Sequence, residues 1–309
     1  MIKPLIFIVG PTAIGKSALA IKLAEKLNGE IINADSMQVY LNLNILTARP
    51  SKKDQKLIPH HLYGYIDGSI RYNVASWCND INNIIKKNNK KGIYSIIVGG
   101  TGMYVDKLLH GLVQIPSIPE SIKKESEKLL LKIGINNFID KVKNIDEKSL
   151  NKISKNDTSR LRRIWEVYKY TNKNFTYWQN NKSKNFLYKP KYHIYLFTPD
   201  RNEIYNRVNN RFIKMIDRGA INEVKKLNKL NLDRSLPIMR AHGVPEISSY
   251  LEGLITVDEC ILKGQQVTRN YVKRQITWWK SSKFYNVSIF DYFPSNMDLE
   301  SLDSLKKIH

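Results

Sequence analysis

An α/β fold built on a parallel sheet is the class this sequence predicts, and three observations predict it. Runs of consecutive apolar, β-rich residues recur at Pro4–Val9, Tyr94–Val98 and Tyr192–Phe197, the pattern of strands covered on both faces. Helical periodicity follows each run, as in a β–α alternation. The first two runs break into glycine-rich junctions immediately before their helices. One block departs from this pattern: Glu120 to Tyr192 carries helical patterns and no convincing buried strand. The expected architecture is a parallel sheet core flanked by helices, made from residues 1–119 and 193–309, with a helical insertion domain over 120–192.

The first junction is the most informative. Gly10-Pro11-Thr12-Ala13-Ile14-Gly15-Lys16-Ser17 fits the spacing G-x-x-x-x-G-K-[ST], and Ser17 to Leu27 reads as an amphipathic helix with Leu19, Leu23 and Leu27 at four-residue spacing. Strand, glycine loop and helix in that order make a phosphate-binding P-loop. The glycines let backbone wrap closely around an anion, and the helix start adds free N–H groups and a positive dipole end. Lys16 supplies a mobile cation, and Ser17 a hydroxyl for a magnesium ion. The core is thus expected to be P-loop NTPase-like.

Next along the chain, Gly29 to Asp35 reads as a second strand that ends at an acid. Such a position, beside a P-loop, lies where open α/β sheets bind ligands. Asp35 could be a general base, a magnesium ligand through water, or a helix N-cap. His60-His61 falls in a turn-rich segment; with no third ligand at suitable spacing, packing or backbone hydrogen bonding explains the pair better than a metal site. Ala75 to Lys86 is helical in period, with Trp77, Ile81, Ile84 and Ile85 on one side. The strand Tyr94–Val98 ends in Gly99-Gly100-Thr101-Gly102, a second strand–glycine–helix junction before a helix from Met103 to Leu109.

The block 120–192 holds 18 Lys and Arg against 8 Asp and Glu. Within it, Asp157 is placed to cap a helix on which Leu161, Ile164 and Trp165 form an apolar stripe opposite Arg160 and Arg163. Tyr168, Tyr170, Phe175, Tyr177 and Trp178 follow. Arginines interleaved with aromatics suit unpaired nucleic acid, which offers both phosphates and stacking faces, though a solvated helix face over a small core gives the same pattern. A basic helical module interrupting a nucleotide-type core suggests a substrate clamp. Further on, Arg207, Arg211 and Arg218 recur along a helix that starts at Arg201, at spacings that can complete an anion pocket. Gln265 to Lys280 forms a last basic helix with Arg269, Lys273 and Arg274, closed by Trp278-Trp279. A frayed end is expected after Pro294.

Composition narrows the function classes. The 309 residues include 50 Lys and Arg against 28 Asp and Glu, a formal charge of +22, which points to a polyanionic partner. The abundance of Lys, Asn and Ile tempers that inference, because AT-rich coding produces it too. Cys78 and Cys260 have no C-x-x-C spacing, so neither a disulfide framework nor a zinc site is supported. With no signal peptide and no membrane-length apolar run, a cytoplasmic protein is expected. Nothing calls for an oligomer, and a monomer is expected.

Taken together, these motifs resemble the tRNA dimethylallyltransferases (tRNA isopentenyltransferases), bacterial type. Besides the P-loop, the resemblance is carried by Asp35-Ser36-Met37-Gln38-Val39-Tyr40, Thr47-Ala48-Arg49-Pro50, His60-His61-Leu62, Gly99 to Tyr104, Asn156-Asp157 with Arg160 to Arg163, and Thr268 to Gln275. It implies dimethylallyl diphosphate held by Gly10 to Ser17 with Mg2+ on Ser17. It implies a tRNA acceptor, the exocyclic amine of the adenosine 3′ of the anticodon. By the same resemblance Asp35 is the base, and Thr12 and Arg211 hold the diphosphate beside Lys16. Ser36, Met37 and Gln38 contact the adenine, while Thr101 and Ser159-Arg160-Leu161-Arg162-Arg163 contact the anticodon stem-loop. Ser159 stands where Gln is usual, Leu46 where glycine is common, and His242 to Glu246 differs from the commoner Gly-Tyr version. The alternatives are a P-loop kinase of a nucleotide or small metabolite, an adenine-nucleotide isopentenyltransferase, and a non-catalytic RNA-binding protein using the loop as a switch.

Overall fold

The computed structural model describes residues 2–181 and 183–298. These divide into two compact units: Met1–Leu109 with Phe186–His309, and His110–Asn185. In chain order the first unit opens with β1 (Leu5–Val9), α1 (Lys16–Leu27), β2 (Gly29–Asn33), α2 (Lys52–Leu57), β3 (His60–His61), α3 (Val74–Lys91), β4 (Tyr94–Gly99) and α4 (Gly102–His110). The second unit holds β5 (Leu112–Val113), α5 (Glu120–Leu150), α6 (Thr158–Thr171), α7 (Phe175–Asn180) and β6 (Ser183–Lys184). The first unit resumes with β7 (Tyr192–Phe197), α8 (Arg201–Asp217), α9 (Ala220–Asn228), α10 (Val244–Leu251), α11 (Val257–Ser281) and β8 (Val287–Phe290).

Six strands form one parallel sheet in the order β3-β2-β4-β1-β7-β8. The central strand β1 reads as a continuous apolar run because both its faces are covered; Ile6, Phe7, Ile8 and Val9 are fully buried. Register matters most for the site. Val9 lies opposite Gly99, and Asn33 opposite Val98, so β1, β4 and β2 end level with one another. Both glycine junctions and Asp35 therefore emerge at one sheet edge, the carboxyl edge where such sheets bind ligands.

Some elements differ from expectation. Strand β2 stops at Asn33, two residues short of Asp35, because the Asn33 side chain grips the next turn. Its Oδ1 accepts the Asp35 N–H at 2.8 Å, and its Nδ2 donates to the carbonyls of Asp35 and Leu62. His60-His61 is a strand and not a turn, and it reaches the sheet through β2. His61 Nε2 meets Glu30 Oε2 at 2.7 Å and His60 Nδ1 meets the Ile58 carbonyl at 2.7 Å, partners that need no metal. The edge strand β8 is too short and too exposed to read from its pattern, and its place beside β7 is a tertiary fact. Where fraying is expected after Pro294, a 3-10 turn spans Pro294–Asn296, and the remainder from residue 299 lies outside the described residues.

In the second unit, α5 is broken by non-helical backbone at Gly134 and Asp146. Its core joins Phe138, Val142 and Leu150 to Leu161, Ile164 and Trp165 of α6. Strands β5 and β6 pair antiparallel over two residues, a hairpin too short to leave a sequence signal.

Candidate active site

Loop backbone between β1 and α1 is shaped for an anion. Gly10 has φ +138°, and a Cβ there would stand 2.3 Å from the Phe197 carbonyl oxygen, so only glycine lets β1 run this close to β7. Gly15, at φ +95°, turns the chain into α1, whose first turn carries Lys16 and Ser17. Lys16 Nζ donates to the carbonyls of Gly10 at 3.0 Å and Pro11 at 2.6 Å. Burial pulls its pKa down to about 7, opposed by the negative charge of Asp35 and reinforced by Arg211. Arg211 reaches in from α8, and its guanidinium donates to Thr12 Oγ1 at 2.7 Å. Burial lowers its pKa to about 10, again opposed by Asp35. A cation pair desolvated in this way is a strong attractor for a polyanion, because the ligand's charge replaces the solvation that both groups have lost.

Two cavities flank this constellation. One, of about 310 Å³, is walled by the P-loop residues Thr12, Ala13, Gly15, Lys16 and Ser17 together with Gly99, Gly100, Tyr63 and Gln275. The other, of about 460 Å³, presents Met37, Val208, Phe212, Met215 and Ala241 beside Ser36, His242, Tyr271 and Arg274. Thr12, Asp35, Thr47 and Arg211 line both. A P-loop chamber and a larger one, with an apolar wall and the further arginines Arg71, Arg240 and Arg274, therefore meet at a carboxylate, a hydroxyl pair and a guanidinium.

Asp35 is held for this position. Its Oδ1 accepts the Met37 N–H at 2.8 Å and the Gln38 N–H at 3.4 Å, the bonding of a cap, yet no helix starts there. The charge of Asp35 reaches Lys16, Arg211, Tyr63, Tyr104, Tyr271 and His242. Burial raises the hydroxyls of Tyr63, Tyr104 and Tyr271, so all three stay protonated around the carboxylate.

Other expected contacts prove to be committed within the protein. Thr101 Oγ1 accepts the Ser36 N–H at 3.2 Å, which ties the second glycine junction to the Asp35 turn. Gln38 Nε2 donates to the Thr47 and Ala48 carbonyls at 2.8 and 3.2 Å, so its amide fixes the loop wall. Leu161 is 0% exposed and belongs to the core of the second unit, which corrects its expected place on a ligand surface. Arg162 is half-buried and held within the same unit. Its Nε donates to Ser126 Oγ at 2.9 Å, and its Nη2 donates to the Lys123 carbonyl at 3.0 Å and lies 3.6 Å from Glu127 Oε2. Ser159 and Arg160 are exposed, Arg163 is half-buried, and Asp157 caps α6 by accepting the Arg160 N–H at 3.0 Å. Arg207 turns away from the anion site and stacks 3.4 Å over the Phe293 ring.

Three contacts escaped sequence reasoning. Glu223 of α9 accepts the backbone N–H groups of Asn44, Ile45 and Leu46 at 2.6 to 3.0 Å, holding the loop that carries Thr47. Leu46 packs against Gly243, so the two departures from the family pattern touch each other. Gln275 bridges the P-loop and the second glycine junction. A glutamine three residues after Val272 and four before Trp279, both buried on α11, was the available signal: a polar side chain on an apolar face needs a partner.

The separate roles of the arginines give a first expected outcome. Arg162→Ala strips charge-assisted bonds from a half-buried network and should lower thermal stability by about 1–3 kcal/mol. Arg160→Ala with Arg163→Ala should leave the melting temperature nearly unchanged and reduce the salt slope of RNA binding by about 1 to 2. Thermal melts and a salt titration of RNA affinity on each variant check both.

Comparison with known proteins points one way. The IPP transferase family model matches residues 38–282, and an isopentenyl transferase model matches residues 3–64. A tRNA dimethylallyltransferase of Bartonella henselae is 40% identical over 274 residues, 89% of this chain and 94% of that protein. One from Wolbachia pipientis wMel is 41% identical over 278 residues, 90% and 92% of the two chains. Among solved structures, the tRNA isopentenylpyrophosphate transferase of Bacillus halodurans superimposes with a TM-score of 0.67 at 32% identity, covering 99% of this chain and 94% of that one. A eukaryotic dimethylallyltransferase acting on tRNA superimposes with a TM-score of 0.80 at 26% identity, covering 99% and 80%.

Proposed function

The chain belongs to the tRNA dimethylallyltransferase (IPP transferase) family, and from that premise we propose how its two joined cavities carry out the transfer. The protein is a prenyltransferase that moves a dimethylallyl group from dimethylallyl diphosphate to the exocyclic amine of the adenosine 3′ of the anticodon in tRNA. Diphosphate is released. The observation that carries this reading is the meeting, at Asp35, Thr12, Thr47 and Arg211, of a P-loop chamber and a larger chamber that has an apolar wall of Met37, Val208, Phe212 and Met215.

In this reading the diphosphate lies against the N–H groups of the loop, Lys16 and Arg211, and the five-carbon chain extends toward Val208, Phe212 and Met215. The adenine must leave its stack to reach Asp35. Attack of the amine nitrogen on the allylic carbon forms the C–N bond as the C–O bond to diphosphate breaks. Negative charge then grows on the departing oxygen, where Lys16, Arg211 and the loop amides are already oriented. Asp35 takes the proton the amine must lose. Tyr63, Tyr104 and Tyr271 remain neutral within the field of that carboxylate.

Magnesium fits the donor set. Ser17 offers a hydroxyl at the loop chamber, and Asp35 lies on the same wall. Among the described residues no group of three or more His, Cys, Asp or Glu could cage a metal. That suits an ion that keeps water and substrate phosphates as most of its ligands. When bound, it would neutralise part of the leaving group's charge. No helix among the described residues is long and apolar enough to cross a membrane, and a cytoplasmic monomer is the state we assign. Ser159, Arg160 and Arg163 supply RNA contacts from the helical unit.

The assay is direct. Protein incubated with labelled dimethylallyl diphosphate, magnesium and unmodified tRNA should place label in the RNA and release diphosphate. Unlabelled RNA, with phosphate moved from ATP to a small molecule instead, would sink the assignment in favour of a kinase.

A further inference from the structure

The P-loop spacing is the one that elsewhere holds nucleoside triphosphates, yet this loop is read here as holding only a diphosphate. Something must set the length of polyphosphate it accepts. The side chain best placed to do so belongs to Gln275 on α11. It is only 4% exposed. Its Oε1 accepts the Thr12 N–H at 3.0 Å, and its Nε2 donates to the Gly100 carbonyl at 3.0 Å. A Cβ on Gly100 would stand 2.0 Å from that Nε2, so the second glycine junction is shaped to admit this amide.

The consequence is a loop whose outer end is already satisfied. Lys16 holds the Gly10 and Pro11 carbonyls, Gln275 holds the Thr12 N–H, and Arg211 holds the Thr12 hydroxyl. Pro11 has no N–H to offer. A P-loop binds successive phosphoryl groups through successive N–H donors and its lysine. Each further phosphoryl group needs further donors, or its charge stays poorly solvated. We infer that Gln275 is a specificity residue that closes the outer end of the cradle, so that the loop takes two phosphoryl groups and discriminates against three. The inference rests on the reading of Gly10 to Ser17 as a diphosphate cradle.

Calorimetric titration with inorganic diphosphate and with inorganic tripolyphosphate, each with magnesium, separates the possibilities. The unaltered chain should prefer diphosphate by about tenfold or more, the effect of one charge-assisted hydrogen bond or greater. Gln275→Ala frees the Thr12 N–H and opens space beside it. It should gain tripolyphosphate affinity by about tenfold while diphosphate affinity changes only a few-fold, bringing the ratio near one. Gln275→Glu keeps an acceptor on Thr12 and adds negative charge, and should retain the preference. Equal binding of both anions by the unaltered chain overturns the inference. So does a Gln275→Ala ratio that matches the unaltered chain, or equal losses for both anions with a lowered melting temperature, the mark of a purely structural glutamine. Failure of the function reading looks different: diphosphate is selected, but no dimethylallyl group reaches RNA.

Discussion

Asp35→Asn should lower the rate of dimethylallyl transfer by about 10²- to 10⁴-fold, the range expected when a positioned general base is lost. The substitution keeps an oxygen at Oδ1 to accept the Met37 N–H, so the turn that shapes the site survives. It removes the group able to take the amine proton. RNA affinity should stay within about twofold, because one buried contact is conserved and the phosphate contacts lie elsewhere. Single-turnover kinetics at saturating tRNA isolates the chemical step. Near-normal turnover in Asp35→Asn would mean that the carboxylate serves only to cap the Met37–Gln38 turn. Asp35→Ala should match its rate loss and in addition cost stability, since two N–H groups lose their acceptor.

Lys16→Ala should cost about 10² to 10³ in turnover, comparable to removing one preorganised donor at a developing oxyanion. The lysine also predicts a pH effect whose sign follows from its lowered pKa of about 7. Bound diphosphate stabilises the ammonium and returns that pKa toward its ordinary value of about 10.4. Between those two values the free protein carries a neutral Lys16 and the complex a charged one. Diphosphate binding near pH 8 should therefore take up a proton, and affinity should fall as pH rises above about 7. The same titration affects folding. The unfolded chain holds the proton up to its higher pKa and the folded chain releases it first, so the destabilisation due to burying Lys16 is largest at and below pH 7 and fades as pH rises. Calorimetry in buffers of different ionisation enthalpy measures the uptake directly. Proton release, or none, would show that Lys16 is already charged in the free site.

Much of this could be read along the chain. The P-loop was legible because strand, glycine, lysine and helix are neighbours in sequence, and their chemistry follows from local backbone geometry. The strands β1, β4 and β7 were legible because burial on both faces forces apolar runs. Asp157 could be assigned as a cap from spacing alone, since a cap and its N–H partner are three residues apart. Elements that depend on distant partners were not legible. The two-residue strands β3, β5 and β6 have no period to detect, and β8 is a strand only because β7 lies beside it.

The site divides along the same line. By itself the sequence determined that this chain has a P-loop, an acid just past the adjoining strand and an arginine-bearing helix in reserve. Arg207 and Arg211 share a face of α8 one turn apart. The tertiary structure shows Arg211, the one the resemblance singled out, meeting Thr12 while Arg207 stacks on Phe293, because that depends on which turn of α8 lies beside the loop. It also decided that Arg162 and Leu161 hold their own unit together while Arg160 faces outward. Gln275 is the sharpest case, 263 residues from the Thr12 N–H it engages. Motif spacing encodes contacts a few residues apart. A hydrogen bond across such a distance exists only once sheet register has levelled β1 with β4 and α11 has packed across their ends.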